Sequence, residues 1–281
     1  MILVKSIFHS IFSRREVKIF LAFSFLPMLV PILSDVMDGI NADLSNNFLS
    51  FLDSAITTQS RLILPTLLFS LIISSVFKEE IESGIMFLYK DINRNKIFNA
   101  KLISLMLIYF LYFLLTVLVS FIAYYGFMLP QGNALPNFIS EKAPNIVFDL
   151  FSLIANITLN IFTIILVSMV SITSKNIQSV LTGVLFTLAY SVAPVLIGIR
   201  SIFPNGYTQL TKTNLILAVA SATALSGAFL IFWIGENQKI YAHSERSSMT
   251  RVLEKMSKLV SLSKDFIYNI RYKGRKYVPS S

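Results

Sequence analysis

Residues 102–128 read LISLMLIYFLYFLLTVLVSFIAYYGFM, 27 consecutive positions without a charged side chain. Wound as an α-helix, such a run rises about 1.5 Å per residue to roughly 40 Å. The hydrocarbon core of a bilayer is about 30 Å thick, and about 20 apolar residues cross it. The stretch is therefore read as a membrane-spanning helix, long enough to tilt or to run past the bilayer. Five further apolar stretches flank it, at residues 17–33, 62–77, 146–173, 180–199 and 215–234. The second of the six is slightly short and is expected to begin before Arg61, whose long side chain can snorkel to the interface. In the fourth, Asp149 falls near the start, so its apolar centre begins after that residue. The expected fold is all-α: a polytopic membrane protein with six transmembrane helices.

Composition supports this reading. Of 281 residues, 54% are hydrophobic and only 14% charged, against roughly 25% charged in a soluble globular chain. So little charge cannot cover the surface of a water-soluble domain, and so apolar a chain is not disordered. There are 24 Phe and no Cys. Disulfides, thiolate nucleophiles and zinc–thiolate or iron–sulfur sites are thereby excluded.

The net charge of +9 raises the question of nucleic acid. Its distribution answers it. Twenty of the 24 basic residues fall before the first stretch or, as Lys18, at its edge, between the second and third, between the fourth and fifth, and after the sixth. The alternate loops keep only Arg61, Lys142, Arg200 and Lys212, together with Asp35, Asp38, Asp43, Asp53 and Glu141. Lysine and arginine collect on the cytoplasmic side of membrane proteins. The pattern predicts a multi-pass protein of the cell membrane with both termini in the cytoplasm, and no nucleic-acid partner is needed.

Three regions are expected. Residues 1–16 carry Val4, Ile7, Phe8, Ile11 and Phe12 at helical spacing, with Lys5, His9, Arg14 and Arg15 elsewhere, which reads as an amphipathic helix on the membrane surface. The long basic leader and Pro27 and Pro31 within the first apolar run argue against a cleaved signal peptide. Residues 17–235 form the transmembrane domain. Residues 236–281 form a basic cytoplasmic tail in which Met249, Val252, Leu253, Met256, Val260, Phe266, Ile267 and Ile270 recur at helical steps. One amphipathic helix is expected there, covered by a protein partner or by membrane lipid.

Catalytic chemistry is missing from the sequence. No P-loop motif is present, and the two histidines, His9 and His243, lie outside the apolar stretches. Glu79 and Glu80 beside a span are similar to the paired glutamates of intramembrane CAAX-type proteases, but those enzymes also need histidines within later spans. The chain is expected not to be an enzyme and to hold no cofactor or metal of its own. Within the fourth stretch, Asn156, Asn160 and Thr163 share or adjoin one helical face. They serve either hydrogen bonding between helices or a substrate path.

The informative loop is residues 77–101, FKEEIESGIMFLYKDINRNKIFNAK. Its acidic opening suits a helix N-terminus. Ile81, Ile85, Leu88 and Tyr89 make an apolar ridge, residues 91–95 a polar break, and Lys96 to Lys101 the re-entry to the membrane. Glu80, Gly84, Arg94 and Lys101, in this order and spacing, resemble the first cytoplasmic loop of ATP-binding cassette (ABC) transporter permeases of the type-two exporter family. The usual proline of that loop is absent, since residues 91–94 are Asp-Ile-Asn-Arg, and the tail is longer than in most members. The resemblance implies a permease subunit that pairs with a second permease chain and sits on a separate P-loop ATPase, where ATP and Mg would bind. It implies a coupling helix carrying Glu80, Glu82, Gly84, Leu88, Arg94 and Lys101. It implies a minor contact at Lys175 and a short re-entrant element over residues 194–213. The substrate would be hydrophobic or amphipathic: a peptide, a bacteriocin or a drug. A reading from another class is a non-transporting six-span immunity, sensor or assembly factor.

Overall fold

A computed structural model of the chain describes residues 2–34, 47–82, 94–140, 143–174, 176–196, 200–207, 214 and 216–229. Every regular element among the described residues is helical, and no strand is found there. Met1–Ile231 forms one compact unit. The remainder of the chain, including the expected tail helix, lies outside the described residues.

The longest helices grow from the longest apolar runs. Helix α6 spans Arg94–Phe121 and continues as a π-helical turn over Ile122–Met128, and α7 spans Ala143–Thr173. The stretches Lys96–Met128 and Asn145–Ile172 are each long and apolar enough to cross a membrane. A third candidate is a bent pair. Helix α4 (Phe48–Arg61) and helix α5 (Ile63–Glu82) meet at 64° about Leu62, whose backbone is extended. Between them, two to three helices are long and apolar enough to span a bilayer.

The other expected spans take a different form. Residues 17–33 fold not as one helix but as α2 (Arg15–Ala22), a 3-10 segment (Phe23–Met28) and α3 (Leu29–Ser34). Pro27 lies inside the 3-10 segment. A proline lacks the donor that continues an α-helix and clashes with the preceding turn, so the break falls where the ring sits. Helix α8 (Asn176–Val192) has 17 residues, and at about 1.5 Å each it spans roughly 26 Å, short of the full hydrocarbon thickness. Helix α9 (Ile216–Phe229) is shorter again. Helix α4, in contrast, falls in a segment expected to be an external loop. Its Asn47 accepts a hydrogen bond from the Ser50 amide at 2.8 Å, a side-chain N-cap, and Phe48, Phe51, Leu52, Ala55 and Ile56 are all buried.

Three apolar clusters hold the unit together. In the first, Phe20 of α2 stacks on Phe69 of α5 and Tyr112 of α6, each at 4.5 Å between ring centres. Helix α1 (Ile2–Phe12) joins this cluster through Ile11, with Ile7, Phe8 and Phe12 packed beside it. Its Lys5, Ser6, His9 and Ser10 face outward. The expected amphipathic helix is present, with its apolar face laid on α6. The Ser104 hydroxyl of α6 also donates to the Val4 carbonyl at 3.3 Å.

The second cluster packs α4 against the π-turn and α7. Tyr124 is fully buried there, and its hydroxyl donates to the Leu135 carbonyl at 2.7 Å. In the third, Phe162 of α7 stacks on Phe229 of α9 at 4.4 Å, and Phe186 of α8 meets Phe203 and Phe229 edge-on. Phe203 belongs to the segment after α8, which was expected as a re-entrant element. Asn205 of that segment donates to the Tyr190 carbonyl at 2.7 Å, and the Arg200 guanidinium donates to the Gly206 carbonyl at 2.9 Å.

Candidate functional site

The bend between α4 and α5 brings uncharged polar side chains of four helices around one cavity. Where the helix stops at Leu62 and restarts, Gln59, Ser60, Thr66 and Ser70 face Tyr109, Tyr112 and Thr116 of α6 and Asn160 and Thr163 of α7. These groups line a cavity of about 40 Å³, closed on one side by Phe20 of α2. That is room for on the order of two or three waters, and the walls supply the polar partners that buried waters need. None of the cavity-lining side chains is charged.

Two broken helices meet here, and their freed backbone groups find side-chain partners. The Gln59 amide donates to the Phe23 carbonyl of the 3-10 segment at 3.3 Å. The Ser191 hydroxyl of α8 reaches the Ser60 carbonyl at 3.4 Å while also donating to Thr187 at 2.7 Å. The Thr116 hydroxyl is shared between the Gln59 side-chain oxygen at 3.3 Å and the Tyr112 carbonyl at 3.0 Å. Irregular backbone buried inside a helix bundle needs such partners, because the apolar surroundings offer none. The Ser70 hydroxyl is buried with no hydrogen-bond partner and stands against Gly183 of α8.

The three residues expected on a substrate path separate into two roles. Asn156 is 3% exposed, and its amide donates to Thr57 of α4 at 3.1 Å, so it bonds helix to helix. Asn160 and Thr163 line the cavity. The Asn160 amide donates to the Asn156 carbonyl at 2.8 Å, its oxygen accepts from the Tyr190 hydroxyl at 3.4 Å, and Tyr109 stands beside it. Thr163 returns its hydroxyl to the Leu159 carbonyl, as threonines in helices do.

A polar seam continues from the cavity along α4 and α7. Above Thr57 and Asn156, the Ser50 hydroxyl of α4 donates to Asp149 of α7 at 2.6 Å, and Ser152 of α7 stands beside Asp53 of α4. Asp53 and Asp149 are both buried, at 8% and 6% exposure. The sequence reading left Asp53 in an external loop and so missed this pairing. The signal was there in the helical spacing of Phe48, Phe51, Leu52, Ala55 and Ile56.

The expected coupling residues are distributed as follows. Glu80 and Glu82 lie in the last turn of α5, not at the start of a new helix. Carboxylates favour helix N-termini by less than about 1 kcal/mol at an exposed site. That is too little to stop a helix that gains a backbone bond with each added residue. Gly84 and Leu88, like Lys175 farther along, lie outside the described residues. Arg94 opens α6. Lys101 is only 4% exposed; its ammonium donates to the Val76 carbonyl of α5 at 2.7 Å and stands 5.4 Å from the Phe77 ring centre. Its place is that of a strut between α6 and α5, holding the two ends of the loop in register. Beside it, the Arg14 guanidinium donates to Ser75 of α5 at 2.8 Å and ties the α1–α2 turn to the same helix end.

Among the described residues no cluster of His, Asp or Glu could hold a metal ion. Comparison with known protein families, with characterised proteins and with solved structures finds no match to this chain.

Proposed function

We propose that the chain is the transmembrane permease subunit of an ABC exporter. It would work as a pair, with itself or a homologous chain, on a separate P-loop ATPase that binds ATP and Mg. Its substrate would be hydrophobic or amphipathic: a peptide, a bacteriocin or a drug. In this reading the chain crosses the cell membrane six times, through α2–α3, α4–α5, α6, α7, α8 and α9. The observation that carries the proposal is the uncharged polar cavity at the α4–α5 bend, enclosed by helices whose outer faces are apolar. A bundle held together only for anchoring has no need of a broken helix beside an interior cavity lined with hydroxyl and amide groups. A permease needs a polar interior that its cycle can open. The loop leaving α5 supports the drive contact, since its two ends are fixed by Lys101 and Arg14, and a push on the loop would reach the bend through α5.

Affinity purification from native membranes tests the proposal. A P-loop ATPase should co-purify, and its hydrolysis should rise with the chain present. Gly84→Trp should leave the complex in the membrane but uncouple hydrolysis from transport. Orientation is tested in the same cells: Asn46→Cys should react with an impermeant thiol reagent and Ser261→Cys should not. A chain that purifies without an ATPase and whose deletion changes no export leaves the sensor, immunity or assembly reading in its place.

A further inference from the structure

The polar cavity has a neighbour. On the outer side of the same wall, between α6 and α7, runs a groove of about 290 Å³. Ile103, Met106, Leu107 and Phe110 of α6 and Ile157 and Ile161 of α7 line it. Leu107 and Phe110 are 44% and 55% exposed, so the groove opens to the outside of the bundle. Tyr109 and Phe113 line the groove and the polar cavity alike. Those two rings are the partition between an apolar slot and a small polar chamber. The Tyr109 hydroxyl lies on the chamber side, beside Asn160. Helix α7 packs mainly on α4, α5 and α8, and its contact with α6 is thin. The partition therefore stands at one of the lightly packed helix pairs around the chamber.

We propose that the α6–α7 seam is a lateral portal for a single-chain amphiphile with a small uncharged head group. The proposal rests on reading the chain as a membrane permease. The tail occupies the groove, and the head passes the Tyr109 and Phe113 rings to take over the hydrogen bonds of Asn160. Chemistry sets the class of ligand at both ends. From Ile103 to Phe113 the groove follows about 15 Å of helix, which matches a chain of roughly a dozen carbons. The chamber's free space of about 40 Å³ suits a small head group such as a hydroxyl or primary amide. With no charged side chain on its wall, it offers no counter-charge to a phosphate, carboxylate or ammonium, and an unpaired charge taken out of water costs many kcal/mol. Annular lipid would fill the groove but stop at the partition.

The experiment uses the full chain in lipid nanodiscs and a dodecanol carrying a diazirine at mid-chain as the photoreactive probe. Labelling should saturate, map to peptides covering residues 103–113 and 157–161, and be competed by excess dodecanol but not by dodecyltrimethylammonium. Ile161→Trp, which fills the groove, should lower labelling at least tenfold. Ile157→Phe serves the same purpose where the first variant does not fold. Labelling that rises without saturation, that both competitors displace equally, or that neither filled variant reduces would mean annular lipid only and overturns the portal. ATPase co-purification from the same preparations separates the two readings. A chain that keeps its ATPase but fails the labelling test loses the portal alone. A chain labelled as expected but without an ATPase keeps the portal and loses the permease reading.

Discussion

Gly183 of α8 offers a test of how closely the bundle is packed. A methyl placed there would meet the Ser70 hydroxyl of α5 head-on and come within 2.7 Å of Val167 Cγ2 of α7, with the Ser70 Cβ at 3.2 Å. Ser70 and Val167 are almost fully buried, so neither can swing away into solvent. Small residues at such crossings let helix backbones approach closely in membranes. Forcing one methyl into a filled site costs about 1–3 kcal/mol. Replacing glycine within a helix gives back about 1 kcal/mol of propensity. Gly183→Ala should therefore lose about 1 kcal/mol net, or roughly 3 °C of midpoint at the 2–4 °C per kcal/mol of a chain this size. Thermal unfolding followed by circular dichroism of the purified full chain reads this directly. A double-mutant cycle then isolates the contact. Ser70→Ala removes a hydroxyl that has no hydrogen-bond partner and should alone be nearly neutral. In that background the cost of Gly183→Ala should fall by about 0.5 kcal/mol or more. A midpoint at or above the wild-type value for Gly183→Ala, or an equal loss in both backgrounds, would refute the packing argument.

Asn47→Ala removes the N-cap of α4 and should cost about 1 kcal/mol, with Asn47→Ser close to wild type, both read as unfolding midpoints. Asn156→Ala removes the hydrogen bond from α7 to the half-buried Thr57 hydroxyl and should cost about 1 kcal/mol, while Asn156→Gln should not restore the loss, because the longer amide cannot sit at the same 3.1 Å. Gly132, after the π-turn, has φ of 76°, and nothing lies within 4 Å of an added Cβ, so Gly132→Ala should lose about 1 kcal/mol through backbone strain alone and Gly132→Asn less, measured the same way.

The sequence was most legible where one property dominated. Helices α6 and α7 are continuous apolar runs, and local composition alone was enough to place them. The i, i+4 spacing of Asn156 and Asn160 put both on one face of α7, and both are found bonded inside the bundle. What could not be read was the partner, because Thr57 lies 99 positions away on a helix hidden by its own polarity. Asp53, Thr57, Thr58, Gln59 and Arg61 lower the hydropathy of residues 48–61 to that of a loop. These polar groups are tolerated because Ser50, Asp53, Thr57 and Gln59 each meet a polar group on a neighbouring element. The fate of residues 17–33 was legible only in part. Pro27 and Pro31 mark an interruption, but composition does not say whether a proline bends a helix or divides it. The end of α5 was misjudged for another reason. An acidic cluster was weighed as a local start signal, although a 20-residue helix already under way carries straight through it.

The docking of α1 has a consequence for synthesis. The face that buries Ile11 is made by α6, whose matching residues lie about a hundred positions later in the chain. At roughly 5–20 residues per second, the ribosome needs about 5–20 s to deliver them. Through that interval Ile7, Phe8, Ile11 and Phe12 have no protein surface to cover, and the lipid interface is the apolar medium within reach. A helix lying on a membrane surface would then belong to the nascent chain, and the helix packed on α6 is that of the finished one. The order of the two states is set by the order of translation, so a leader transplanted to the C-terminus would find α6 already in place and would skip the first of them.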